Sequence, residues 1–394
     1  MKKLLVIAAT LAASSAFAGV KLEVRSDYVN TPDYDNASGT TIGGTSLFTP
    51  SVARLHLNGN VGEAVVESAW NLRSFAPQFA VSPYTGDADL SKSMTVDQFV
   101  DHLWAGKAMG AFMFKAGKLE VNTGGFERQK NLHGDTYLVS MANGGVGGTM
   151  VSGIPATPTF TATGALIANP ENSSGISAAY SITENHKLEA QVTNQVNSGT
   201  WTSYGTVLTA GNNVRSADRG HTYGLNYLGS FAEKMVVLNL NYTTGTADTT
   251  SIGQAGVGHE LSWMAASVRV APMADLTVDI EYFDNKDKTS TATTTADNKT
   301  NATIIEARYN INGWIPVLKY EMSENKSDAG NTAADFKRDA FAVGVEFVPK
   351  ADEAFRYHVA YTSIKDKDFG VASMEDQTKN MITVGFKYTG DMAK

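Results

Sequence analysis

Val20-Lys21-Leu22-Glu23-Val24-Arg25-Ser26-Asp27-Tyr28 alternates apolar and polar side chains almost one by one, and Ile382-Thr383-Val384-Gly385-Phe386-Lys387-Tyr388 does the same near the other end. In an extended chain, successive side chains point to opposite faces, so this rhythm makes a strand with one apolar and one polar face. Segments of this kind fall at 20–28, 51–58, 63–73, 96–106, 111–119, 176–182, 187–194, 221–228, 235–243, 260–270, 275–283, 303–311, 315–322, 339–348, 355–363 and 380–388. Short turns alternate with long polar stretches between them, and Asn312-Gly313 is a strong turn dipeptide. The long stretches are 29–50, 74–94, 120–175, 195–220, 244–259, 284–302, 323–338 and 364–379.

A soluble β-sandwich has no reason to put every long loop at one end. A transmembrane antiparallel β-barrel does, with short turns on the periplasmic side and long loops outside. Most of the segments have the about 9–11 residues that cross a bilayer at a tilt, and the rest fall one or two short. No water inside a bilayer satisfies free backbone groups, so the sheet has to close, last strand on first. We therefore expect an all-β, sixteen-stranded barrel. Val236, Leu238, Leu240 and Tyr242 should face lipid, with Val237, Asn239 and Asn241 facing inward. Ile305, Ala307, Tyr309 and Ile311 should face out, as should Phe341, Val343, Val345 and Phe347, with Glu306, Arg308 and Asn310 facing in. Tyr28, Tyr180, Tyr242, Tyr282, Trp314, Tyr361 and Tyr388 fall at the ends of these segments. That placement suits aromatic girdles at the membrane boundaries, although tyrosine is also common in strands generally.

Residues 1–18 read as a secretion signal: Lys2 and Lys3, then the apolar run Leu4 to Ala13, then Ala16-Phe17-Ala18 before Gly19. The apolar run is too short for a membrane-spanning helix, which needs about 20 residues. Cleavage there removes two lysines and takes the formal net charge from −8 to −10. An acidic chain without a basic stripe argues against a nucleic-acid partner. With no cysteine in 394 residues, disulfides, thiolate metal sites and a cysteine nucleophile are excluded.

Phe99-Val100-Asp101-His102-Leu103-Trp104-Ala105-Gly106, then Phe112-Met113-Phe114-Lys115-Ala116-Gly117-Lys118 and Gly124-Gly125-Phe126-Glu127, resemble the hairpin that leads into the third loop of the general trimeric porins of Gram-negative outer membranes. The pattern of the whole segment after Ala18 is similar to that family. The resemblance implies a homotrimer among outer-membrane lipid and lipopolysaccharide, passing ions and small polar solutes. It also implies a third loop, here about 120–175, folded inward as a constriction. One departure stands out: Phe386 and Tyr388 are followed by residues 389–394, whereas porins usually end on an aromatic residue.

The loop can follow such a path, with Gly144-Gly145-Val146-Gly147-Gly148 for compactness and Glu127, Arg128, Lys130 and Asp135 for charge. An external loop or a cover for a subunit interface are the alternatives. Arg25, Arg54 and Arg73 occupy polar positions on the first three segments, where porins place a basic cluster. Opposite charges across a narrow throat make a transverse field that sorts solutes. Local pairing with Glu23, Glu63 and Glu67 is the competing explanation for these arginines. Lys115 joins the expected pore-lining set. Glu189, Arg269, Asp279, Glu281, Arg308, Lys319, Glu321, Glu346 and Arg356 are further inward charges, and together they imply a wet interior. From the net charge we expect mild cation preference.

Nothing marks an enzyme. His259-Glu260 lacks the second histidine of His-Glu-x-x-His, and the glycine cluster at 144–148 lacks the Gly-Lys-Ser/Thr of a phosphate loop. No metal or cofactor is expected. Other readings are a plugged barrel acting as an adhesin or structural protein, and a sugar-specific channel, for which Trp201 and Trp263 make too few lumen aromatics.

Overall fold

The alternating segments form one continuous antiparallel ladder that closes on itself. The computed structural model describes residues 17–35, 41–72, 100–144, 172–194, 221–248, 258–290, 295–327, 335–349, 354–370 and 375–391. The strands are β1 Phe17–Thr31, β2 Tyr34–Asp35, β3 Thr41–Ile42, β4 Thr45–Val61, β5 Ala64–Asn71, β6 Val100–Met109, β7 Phe112–Glu120, β8 Asn172–Thr183 and β9 His186–Asn194. Then follow β10 His221–Phe231, β11 Val236–Asp248, β12 Gly258–Met273, β13 Leu276–Ser290, β14 Thr295–Tyr309, β15 Trp314–Ser327, β16 Phe336–Phe347, β17 Phe355–Lys367 and β18 Gln377–Asp391. β2 and β3 make a separate two-stranded ribbon; the other sixteen strands form the closed barrel, each paired with its sequence neighbours. β1 and β18 seal it, with Tyr28 opposite Val384 and Arg25 opposite Lys387.

The two faces sort as the alternation requires. Leu225, Leu240, Ile280, Ile305, Leu318, Val343, Val359 and Val384 are exposed on the outside. Asn239, Asn241, Ser267, Asp279, Glu306 and Lys319 are buried on the inside. This inversion of a soluble protein suits a barrel solvated by lipid.

Several strands run past the segments read from sequence. β12 and β13 extend to Gly258 and Ser290, where Lys288 lies opposite Glu260 at 3.3 Å. Backbone pairing does not stop where apolar alternation stops, so the ladder continues through polar pairs. This moves part of the aromatic set away from the strand ends. Tyr242, Tyr282, Tyr320 and Tyr361 are exposed, and each is the seventh residue of its strand. Six steps of about 3.3 Å put them about 20 Å from the strand start, comparable with an apolar band about 25 Å tall. Tyr180, Tyr309, Trp314 and Tyr357 form the matching set near the short turns.

One turn also differs. Gly229-Ser230-Phe231, which fall between the segments read at 221–228 and 235–243, stay within β10, and the chain reverses through Ala232, Glu233 and Lys234, with φ of +49°, +54° and +73°. Three side-chain-bearing residues in the left-handed region carry no glycine or asparagine signal.

Two short helices, α1 Phe126–Leu132 and α2 Met141–Gly144, lie inside the barrel. The apolar clusters are therefore internal. Tyr137 and Leu138 pack among Val29, Val317, Ala340, Ala342, Ala360, Ile364 and Met381. Ala142 packs among Ala265, Phe283, Ala302 and Ile304.

Candidate functional site: the lumen and the segment folded into it

After β7 the chain bends into the barrel at Gly124 and Gly125, with φ of +78° and +89°. A Cβ on Gly125 would stand 2.5 Å from Cζ of Phe283, so glycine lets the backbone pass this close to the wall. Asn241 donates to the carbonyl of Asn122 at 2.8 Å. The backbone N–H groups of Phe126 and Glu127 donate to Glu281 at 2.5 and 2.8 Å. That carboxylate satisfies two of the free donors in the first turn of α1. Lys130 donates to Asp279 at 2.6 Å and Glu306 at 2.7 Å.

At the tip, Arg25 donates to the carbonyls of Gly134 and Thr136, and Lys387 donates to the carbonyl of His133 at 2.6 Å. The return limb is held as closely. Tyr137 donates its hydroxyl to Glu346 at 2.9 Å, Lys319 donates to the Leu138 carbonyl at 2.6 Å, and the Met141 N–H donates to Glu321 at 2.8 Å. Asn285 donates to the Ala142 carbonyl at 3.0 Å. Residues 121–144 thus run out and back along the inner faces of β11 to β18 and β1.

The candidate residues divide into two groups. Glu127, Arg25, Arg128 and Asp135 belong to the attachment. Glu127 is fully buried; it accepts from Lys319, from the Ser140 N–H at 2.8 Å, and from Asn143. Arg25, 4% exposed, also donates to Asp27 at 3.1 Å. It holds the loop instead of facing it across a gap, because buried loop carbonyls need donors and the wall supplies them. Arg128 is buried with Nε 3.4 Å from Glu120. Asp135 meets Lys387 at 2.8 Å and Arg356 at 3.1 Å. Burial pushes its carboxyl up, but the charges of Lys387, Arg356 and Arg308 prevail and hold it below the usual carboxylate range.

Arg54 and Lys115 form the second group. Arg54 Nε donates to Asp101 at 2.6 Å, and the two side chains keep 15% and 13% of their surface exposed. Lys115 Nζ stands 4.5 Å from the centre of the Trp104 ring. Nearby, His102 lies 3.2 Å from Glu67, which is 44% exposed, and Lys187 donates to Glu189 at 2.9 Å. This wall, from β4 to β9, keeps its charges at the water boundary. The two groups do not converge into one cluster. Arg73 lies outside the described residues, as do residues 145–171 of the expected constriction loop.

The inward charges read from sequence also divide. Asp279, Glu281, Lys319, Glu321 and Glu346 are buried, most of them against the loop. Arg269 and Arg356 remain about a third exposed, at 33% and 32%. Sequence reading missed the internal apolar floor on which the loop sits. A signal for it exists: Ile304-Ile305 and Ala340-Phe341-Ala342-Val343 are apolar on both faces where the alternation asks for a polar residue.

No protein-family model matches the chain, and no curated protein does either. Solved structures are similar. The outer membrane channel DcaP of Acinetobacter baumannii matches at 11% identity with a TM-score of 0.57, over 94% of this chain and 96% of that one. The anion-selective porin from Comamonas acidovorans matches at 13% identity with a TM-score of 0.57, over 94% and 98%. OmpT of Vibrio cholerae, an outer membrane protein in trimer form, matches at 12% identity with a TM-score of 0.53, over 94% and 98%. Ring closure, strand number and these likenesses agree: the protein has the fold of the sixteen-stranded porins of bacterial outer membranes.

Proposed function

We propose that the protein is an outer-membrane channel through which ions and small polar solutes diffuse passively. The observation that carries this reading is the wall from β4 to β9. There Arg54, Asp101, Glu67 and His102 keep between 13% and 44% of their side-chain surface exposed inside a closed barrel. A sealed interior would hold such charges at high cost unless all were tightly paired. Water in the bore removes that cost.

In this reading Arg54 and Lys115 border the passage, Arg25, Glu127 and Asp135 keep the 121–144 segment against the opposite wall, and Arg128 ties α1 back to Glu120 at the end of β7. The segment narrows the bore, and the charged wall biases what crosses it. No chemical step and no cofactor are involved. The signal ending at Ala18 directs export and leaves Gly19 near the start of β1. The outer face meets lipid and lipopolysaccharide, and three copies associate. The charge of −10 after cleavage gives mild cation preference.

Single-channel recording in a planar bilayer tests the reading. Stepwise conductance is expected, with reversal potentials in a salt gradient showing weak cation preference. Arg54→Glu should strengthen that preference. A barrel that inserts without steps would reject the channel in favour of a plugged surface protein, and clear anion preference would reject the charge argument alone.

A further inference from the structure

We propose that Glu23, His56 and His133 form a binding site for a divalent transition-metal cation of the zinc class at the edge of the passage. The three residues come from separate parts of the chain: β1, β4 and the turn that ends α1. One oxygen, Oε2 of Glu23, stands 3.3 Å from Nε2 of His56 and 3.2 Å from Nδ1 of His133. The three donor atoms all lie within 4.8 Å of one another. In a tetrahedral shell with bonds of about 2.0–2.1 Å, neighbouring donors are about 3.3–3.4 Å apart. Both nitrogen–oxygen separations already fit that edge. Two imidazoles and a carboxylate are also the donor set zinc takes when a fourth position stays open to water.

The surroundings hold the donors in place. The other oxygen of Glu23 accepts from Lys387 at 2.7 Å, which orients the carboxylate and leaves Oε2 for the cation. Lys387 is itself neutralised by Asp135 at 2.8 Å, which limits its repulsion. The His133 N–H donates to the Gln129 carbonyl at 3.1 Å. The next residue, Gly134, has φ +61°, and a Cβ there would stand 2.5 Å from Cγ2 of Val52. The turn therefore presses on β4, and His133 cannot retreat from the wall. Glu23 is 2% exposed whereas His56 and His133 are 20% and 46% exposed, so the cation arrives from the lumen.

His56 is two residues from Arg54 on the same face of β4. A bound cation would tie the loop tip to β1 and β4 and add two positive charges beside the passage. The binding stands alone; its effect on ion flow rests on the channel reading.

The test uses untagged, detergent-solubilised barrel and Zn²⁺ as the probe, followed by calorimetric titration. One Zn²⁺ per chain is expected. His56→Ala and His133→Ala should each weaken binding at least about tenfold, on the scale of lost coordination. His186→Ala, at the start of β9 beside Tyr227 and Phe231, should leave it unchanged. Circular dichroism confirms that each variant keeps its β-barrel. X-ray absorption of the loaded protein should show two imidazoles with oxygen. No stoichiometric binding, or binding that survives both variants, overturns the proposal and leaves a hydrogen-bonded Glu–His pair. In bilayers, Zn²⁺ should lower cation conductance in the wild type and not in His133→Ala. Metal binding without conductance steps would reject the channel while keeping the site.

Discussion

At the scale of single residues, Lys319 does the most to fix where the loop lies. The residue is 1% exposed, and its ammonium touches Glu127, the Leu138 carbonyl at 2.6 Å and the Thr136 hydroxyl at 3.3 Å. It thereby joins α1 to the return limb and both to β15. Replacing it with methionine keeps the volume and removes the charge. Glu127 would then be a buried carboxylate without a counter-ion, a loss of about 3–5 kcal/mol. Lys319→Met should therefore release residues 121–144 from the wall. Proteolysis of the folded barrel should gain a cut in this segment, and single-channel conductance should change. The double variant Lys319→Met, Glu127→Gln leaves no orphaned charge and should recover most of the protection. If the single variant is as resistant as the wild type, the pair does not hold the loop.

At the scale of elements, the strands were legible because a period of two is local: each residue from Leu276 to Glu281 in β13 states its own face. The inward segment was legible only in part. Gly144-Gly145-Val146-Gly147-Gly148 and the charges from Glu127 to Asp135 mark it as compact and polar, yet its attachments join residues far apart. Glu127 meets Lys319, Asp135 meets Arg356 and Lys387, and Tyr137 meets Glu346. Only ring closure brings those positions together, so no window of sequence contains them. The long strands were underestimated because polar cross-strand pairs such as Glu260–Lys288 extend a ladder without an apolar stripe. The same long-range attachments predict the response to acid. The Asp135 carboxyl is held below its ordinary range, so its contribution to docking is fully present at neutral pH. It disappears as pH falls below about 4, the unperturbed value, toward the folded one. Conductance should show a step below about pH 4 as the loop loosens. Asp135→Asn should already show the loosened conductance at neutral pH and a smaller acid step. An acid step of unchanged size in that variant would assign it to another group.

At the scale of the whole molecule, closing the ring leaves no free strand edge, so copies can associate only through their outer faces. Those faces are not uniform. Exposed leucine, isoleucine, valine, methionine and aromatic side chains recur from β10 round to β18, with Ala266 among them, and β6 to β9 carry Leu103, Phe112, Phe114, Ile176 and Leu188. What sets β6 to β9 apart is two cross-strand alanine pairs between those bulky residues: Ala105 lies opposite Ala116, and Ala178 opposite Ala190. In lipid there is little hydrophobic gain on association, and small residues that permit close approach supply the packing. We therefore place the contact between copies on this sector. Ala178→Trp with Ala190→Trp adds bulk that lipid tolerates and a neighbouring barrel does not. The wild type should run as a trimer on an unheated detergent gel and the double variant as a monomer with an unchanged circular dichroism spectrum. Because each barrel contains its own bore, conductance per chain should survive the change. A double variant that still runs as a trimer would move the contact to another sector, and a monomeric wild type would end the trimer proposal while leaving the single-barrel channel intact.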